Sequence, residues 1–342
     1  MSTSSSKRRG AVTQKDVAKR AGVSQAAVSA VFRGDTRKIG VSAATRERIL
    51  QAVKELDYRP NTSARAMRSQ RTFNLGFFSL AKGYLHHEPI EYRDGLYTAA
   101  TERNYHIVLV RLNPSADGEP EMLPAVFRQA HLDALVIGNA RYIPPEIGEA
   151  VSKSNLPVVY LNEKRTHNAV YCDDVLGTRL LMERLFARGL RRIDYIRLHR
   201  RDDHHSSTER QSTYQTMMQE QGLTPTVHLL PEKNPESKLI ERMREPERPE
   251  ALVVYNEHTL LQMERTLIAA GVFDPTIQYA TFDLGLAAQY IAHPYLCVAV
   301  PRLEMGRAAA NMAIDLSDRE RGSTAPAICL KPHLEEVAGL RI

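Results

Sequence analysis

Apolar and polar positions follow two different rhythms along this chain. Up to about residue 60 the apolar residues recur every three or four positions, the spacing of one helical face. Val17, Ala18 and Ala21 form such a stripe. Thr13 is placed to cap its start, with Asp16 as capping partner, and Gly22 is placed to end it. Ser24 is a second N-cap, followed by the stripe Ala27, Val28 and Val31. Two short helices joined by a tight glycine turn are a helix-turn-helix. A third helix is capped by Ser42, carries Ile49, Leu50, Val53 and Leu56, closes at Tyr58 and stops at Pro60. Asn61, Thr62 or Ser63 can then cap a very short helix holding Ala64, Arg65, Met67 and Arg68.

Beyond residue 71 short apolar runs alternate with amphipathic stretches. Residues 73–80, 106–112, 132–139 and 156–162 read as buried strands. Helices are expected at 92–103, 121–129 and 144–154 between them. The pattern repeats with strands at 191–198, 226–230, 251–256 and 277–283, and with helices at 176–188, 209–221 and 259–270. A late helix is expected at 304–319. Repeated strand–helix units imply parallel sheets covered on both faces. The expected fold is an all-α helix-turn-helix head followed by an α/β body of two doubly wound parallel-sheet subdomains, with a cleft at the strand ends.

Charge separates the two parts. Residues 1–71 hold 16 Lys/Arg against 5 Asp/Glu, a net of +11, whereas residues 72–342 hold 30 against 35, a net of −5. A strongly basic head on a mildly acidic body points to nucleic acid as the partner of the head alone. No apolar run approaches the ~18–20 residues that a membrane-crossing helix needs. The first eleven residues read as a disordered basic arm, not a secretory signal. Three widely spaced cysteines, Cys172, Cys297 and Cys329, form no zinc or CxxC pattern and suit a reducing, cytoplasmic setting at the nucleoid.

On the open side of the second helix the pattern places Gln25, Ala26, Ser29, Ala30 and Arg33. The start of that helix is where base edges are touched, and Gln25 is its one long side chain suited to adenine. The short helix after Pro60 is marginal alone in water. It is expected to order on the minor groove, with Met67 as an apolar wedge and Arg65, Arg68 and Arg71 on phosphates.

The order VTxKDVAKxAGVSxxxVS, VSxxTRERI and ELxYRPNxxARxMR across residues 12–71 resembles the lactose- and galactose-repressor family of bacterial transcription regulators. The resemblance implies Thr13 and Lys15 as contacts of the first helix, and Ser24, Gln25, Ala26 and Ser29 as the recognition helix. It implies Ser42, Thr45, Tyr58 and Asn61 as backbone grip, and Ala64, Arg65, Met67 and Arg68 as the hinge. Two departures stand out. Ala30 takes the place of an arginine that reads guanine in many members, so that contact is expected to be missing. The loop 33–40 is longer than usual and adds cations.

The body resembles the family's effector domain, which is similar to periplasmic sugar-binding proteins. Residues 169–196 resemble the stretch entering the second subdomain, 253–271 its "ND" strand end and helix, and 279–300 its "FDD" turn and return segment. The resemblance makes Asn256 and Asp283 ligand contacts, with Ser79, Tyr84 and Tyr92 approaching from the first subdomain. Thr208 stands where the family has a cleft arginine; Arg210 keeps the second arginine. Val300 replaces a polar residue. A pocket without that arginine is less suited to an anionic or densely hydroxylated ligand, so a small, sugar-like effector and a pocket with no small-molecule response both stay open.

The implied organisation is an arm (1–11), a DNA-binding domain (12–60), a hinge and linker (61–71), and an effector and dimerisation domain (72–342). Within the last, one subdomain comprises 72–163 plus crossing segments at about 285–325, and the other 164–284. The implied function is a sequence-specific regulator, repressing by default, that binds a near-palindromic double-stranded operator as a homodimer and answers a small molecule. No cofactor is expected. His86-His87-Glu88 and Asp202-Asp203-His204-His205 are candidate metal loops, but adjacent histidines rarely point the same way, and the solvated-loop reading is preferred. A solute-binding protein is the first rival, opposed by the basic head. An enzyme is the second; no GxGxxG after the first strand, P-loop or GxSxG is present.

Overall fold

The computed structural model describes residues 12–33, 40–58, 71–79, 89–111, 131–138, 145–198, 204–230 and 236–340. The chain divides into two units, Met1–Thr72 and Phe73–Ile342.

In the first unit, α1 (Gln14–Ala21), α2 (Gln25–Arg33) and α3 (Ala43–Glu55) surround a small core. Val17, Ala18, Ala21, Val28, Ile49, Ala52 and Tyr58 are its buried members. Gly22 ends α1 at φ 66°, and the Val23 N–H returns to the Ala18 carbonyl. A Cβ there would meet nothing within 4 Å, so the backbone conformation, not space, is what calls for glycine. Two expectations need correction. Leu50 is 40% exposed, and Ala52 takes its place in the core. Ala30 is fully buried and lies off the open face.

The second unit contains two six-stranded sheets. The first is formed by β1 (Asn74–Ser79), β2 (His106–Arg111), β3 (Ala134–Gly138), β4 (Val158–Leu161), β5 (Ala169–Cys172) and β11 (Ile328–Leu330). Its order is β11-β5-β4-β3-β1-β2. The second is formed by β6 (Ile193–Leu198), β7 (Thr226–Leu230), β8 (Ala251–Val254), β9 (Gln278–Phe282), β10 (Tyr295–Ala299) and β12 (His333–Val337). Its order is β12-β10-β9-β8-β6-β7. Strands β3, β8 and β10 are buried along their whole length, as expected for sheets covered on both faces. The pairing is parallel except between β10 and β12, which makes the second sheet mixed at one edge.

The helices are α4 (Ile90–Glu102), α5 (Pro145–Ser154), α6 (Asp174–Ala187), α7 (His205–Glu220), α8 (Glu236–Arg244), α9 (Glu257–Ala269) and α10 (Arg302–Ser317). The chain crosses between lobes three times: after β5, after β10 and after β11. The expected boundary at residue 164 is therefore too early, since β5 pairs with β4 in the first sheet. Periodicity gives no element at residues 328–337, because β11 and β12 are short and mostly half-exposed. The helix expected at 121–129 and the hinge helix lie outside the described residues.

One contact decides where the site sits. Helices α4 and α10 cross backbone to backbone. A Cβ on Gly95 would lie 2.1 Å from the Leu303 carbonyl oxygen, and one on Gly306 2.2 Å from the Tyr92 carbonyl oxygen. Glycine at both positions lets the first turn of α10 settle against that of α4.

Candidate functional site

In the head, the polar side chains at the helix starts are occupied by capping. The Thr13 hydroxyl donates to Asp16 Oδ2 (2.7 Å), and the Asp16 N–H donates back to Thr13 Oγ1 (3.4 Å). These hydrogen bonds from Thr13 hold the Asp16 carboxyl below its ordinary range. Ser24 Oγ accepts from Ala27 N (3.2 Å), and Ser42 Oγ accepts from Thr45 N while donating to Thr45 Oγ1. That fixes the start of α2, where Gln25 and Ala26 are exposed and Ser29 is half-buried. Lys15 is also exposed. Tyr58 is buried against Phe32, ring centroids 5.7 Å apart, so it braces α2 instead of presenting itself to a ligand. Asn61, Ala64, Arg65, Met67 and Arg68 lie outside the described residues.

In the body, charged side chains gather where the strands of the second sheet end. Asp283 follows β9 at φ 70°, a left-handed conformation that Asp tolerates better than most residues. Its Oδ1 lies 3.5 Å from Arg210 Nη2 and 3.5 Å from Arg302 Nη2. Burial pushes its carboxyl up, but the Arg210 and Arg302 guanidiniums outweigh it and hold the group below its ordinary value. Arg210, on α7, donates from Nε to Asp174 Oδ1 (2.7 Å) and from Nη1 to the Tyr255 carbonyl (2.9 Å). Its guanidinium also lies 4.4 Å from the Phe282 ring centroid.

Arg302 is the first residue of α10, in the first lobe, and is 8% exposed. It faces Glu91 of α4 (3.9 Å) on its own lobe, and Glu257 of α9 (4.0 Å) and Asp283 on the other. These separations are long for hydrogen bonds, so its donors are poised between acceptors and not saturated by them. Glu257 is 1% exposed; burial raises its carboxyl to about 7, although the Gly285 N–H donates to it at 2.6 Å.

The expected pocket residues separate on this geometry. Asp283 lies at the centre. Asn256 caps α9, its Oδ1 accepting from Thr259 N (2.9 Å). Tyr92 is buried in the first lobe beside the Arg302 charge. Arg210 has its donors committed inside the second lobe. Thr208 is exposed on α7, two residues before Arg210. Ser79 ends β1 in the first lobe, and Tyr84 lies outside the described residues.

The residues that periodicity missed are Glu91, Asp174, Glu257 and Arg302. One signal for Arg302 was available. A cation opening a helix opposes the macrodipole and needs nearby carboxylates to be stable there.

Residues 13–61 match the family model "Bacterial regulatory proteins, lacI family", and residues 182–336 match "Periplasmic binding protein-like domain". The HTH-type transcriptional regulator AscG of Escherichia coli is 28% identical over 86% of this chain and 88% of its own length. The HTH-type transcriptional regulator GalS of Salmonella typhimurium is 24% identical over 89% of each. The lac repressor dimer bound to operator and the anti-inducer ONPF has the same fold, with a TM-score of 0.69 at 20% identity over 97% of this chain and all of that one. The transcriptional regulator CelR–cellobiose complex gives a TM-score of 0.62 at 24% identity over 96% and 100%. A helix-turn-helix head on a two-lobed, periplasmic-binding-protein-like body defines a DNA-binding transcription regulator. Residues 13–61 carry a lacI-family head and residues 182–336 a periplasmic-binding-protein-like domain, and the chain is similar along most of its length to regulators of that kind. Among the described residues no helix is long and apolar enough to cross a membrane.

Proposed function

We propose that residues 12–60 read a near-palindromic operator, residues 61–71 form the hinge, and residues 72–342 dimerise the chain and gate it with a small, sugar-like effector. The observation that carries the gating is Arg302, which faces carboxylates on both lobes. A ligand that takes up its donors changes what holds the lobes together. Carboxylates at Asp283, Glu257 and Glu91 supply acceptors, and Arg302 supplies donors. Such a mixed set suits the hydroxyls of a polyol ring. Cellobiose in the structural relative is of that chemistry.

On the DNA side, Gln25 and Ala26 face the bases. Thr13, Lys15, Ser24, Ser29, Ser42 and Thr45 place the head on the backbone, with Tyr58 acting from behind. Asn61, Ala64, Arg65, Met67 and Arg68 engage the minor groove. The residues 1–11 act as a basic arm. Repression is the default, and the protein works in the cytoplasm at chromosomal DNA.

Selection of bound sequences from random duplexes with the full-length protein tests this reading. A two-fold-related consensus is the expected result, with an affinity that falls steeply with salt. Recovery of no consensus would overturn it.

A further inference from the structure

Beside Arg210, the first turn of α7 packs against the first turn of α6. His205 and Glu209 are four residues apart on α7 and so share one face. Asp174 opens α6. Donor atoms of these three side chains all lie within 4.8 Å of one another, and His205 Nε2 is 3.6 Å from Asp174 Oδ2. His205 Nε2 is itself buried and has no hydrogen-bond partner, a costly state for an imidazole nitrogen aimed at two carboxylates. Its neighbour differs. His204 is bonded through Nε2 to the Asn162 carbonyl (2.5 Å) and through Nδ1 to Ser206 Oγ (2.8 Å). The two adjacent histidines therefore have different tasks, one holding the loop and the other left open.

The carboxylates also keep capacity. Asp174 gives Oδ1 to Arg210, and Oδ2 faces His205. Glu209 gives Oε1 to Lys164, whose side chain is 47% exposed.

We propose that Asp174, His205 and Glu209 form a site for a first-row divalent cation of the zinc type, and that its occupation competes with the Lys164–Glu209 ion pair. One imidazole and two carboxylates are a three-ligand set that zinc accepts, with water completing a tetrahedron. Lys164 lies between β4 and β5, on the first-lobe side, and Glu209 on the second lobe. An ion that displaces Lys164 therefore removes a contact between lobes, so metal would bear on the same lobe equilibrium as the effector, with Asp174 common to the two sites.

The test is calorimetric titration of the full-length, metal-stripped protein with Zn²⁺, paired with Co²⁺ absorption spectra as a report on coordination. Wild type is expected to bind one ion per chain with a tetrahedral cobalt band. His205→Asn and Glu209→Gln should lose that ion while keeping the circular dichroism of the wild type. Lys164→Ala, a surface change, should bind about tenfold tighter, because a competing cation has been removed. Absence of stoichiometric binding, an ion retained in His205→Asn, or unchanged or weaker binding in Lys164→Ala would each overturn the proposal.

Discussion

Arg302 Nη2 and Asp283 Oδ1 face each other across the lobes at 3.5 Å, one from the first turn of α10 and the other from the end of β9. Asp283 is shared with Arg210 at the same distance, so one carboxylate sits between two guanidiniums supplied by different lobes. The pair is long enough to open and buried enough to matter. Replacing Arg302 by Met should leave Asp283 its Arg210 partner and deprive Glu257 of its cation. We expect a loss of about 1–3 kcal/mol of stability and a weaker effector response, with operator affinity unchanged. Denaturant unfolding and calorimetry check this; an unaltered midpoint together with an unaltered response would show that Arg302 is not part of the cleft's grip.

Gly306 determines where Arg302 can reach. A methyl group there would press to 2.2 Å on the Tyr92 carbonyl oxygen, and backbone cannot move aside as a side-chain tip can. Gly306→Ala should therefore force α10 away from α4 at a cost of roughly 1–3 kcal/mol. Thermal unfolding reads the cost directly, and a melting temperature equal to the wild type's would mean that the helices have slack.

Glu257 makes stability depend on pH. Its folded value, about 7, lies above the ordinary 4.5 because burial disfavours the carboxylate. The folded state therefore holds a proton that the unfolded chain releases. The stabilisation is fully present below about pH 4.5 and is lost as pH rises through 7. Glu257→Gln can still accept from Gly285 but cannot titrate. Its stability relative to wild type should rise across this window, by up to about 3 kcal/mol. Unfolding both proteins at several pH values cancels every other group. A difference flat with pH would show that Glu257 stays charged.

At the head, Gln25 is exposed at the first turn of α2, whose start is set by the Ser24 cap. Gln25→Ala should relax preference at one or two half-site positions by ~1–3 kcal/mol. Competition binding against single-base operator variants measures it, and an unchanged preference profile would remove Gln25 from base reading.

How much of this was legible in the sequence depends on what each element buries. The strands were found because β3, β8 and β10 are continuously buried and read as unbroken apolar runs. Helix bodies are legible from their apolar faces, and the capped starts of α1, α2 and α3 are legible too, but five helix starts of the body are not. The expected starts at 92, 176, 209, 259 and 304 are each the point where the apolar pattern begins. The structure starts these helices at Ile90, Asp174, His205, Glu257 and Arg302. The polar first turns left out of the expectation carry Glu91, Asp174, His205, Glu257 and Arg302. They carry charge because helix N-termini face the cleft beyond the strand ends, where burial is polar and periodicity is silent. Ala30 failed differently. Its placement on the open face came from spacing alone, and the packing of three short helices buried it.

The central claim is that the cleft around Asp283 controls the DNA-binding head. Its most direct test is fluorescence anisotropy of the full-length protein on its selected operator, titrated with a panel of neutral sugars. Asp283→Ala is measured beside the wild type. At least one sugar is expected to shift wild-type operator affinity, and Asp283→Ala is expected to bind the operator equally well without responding. A variant that responds as the wild type does would contradict it.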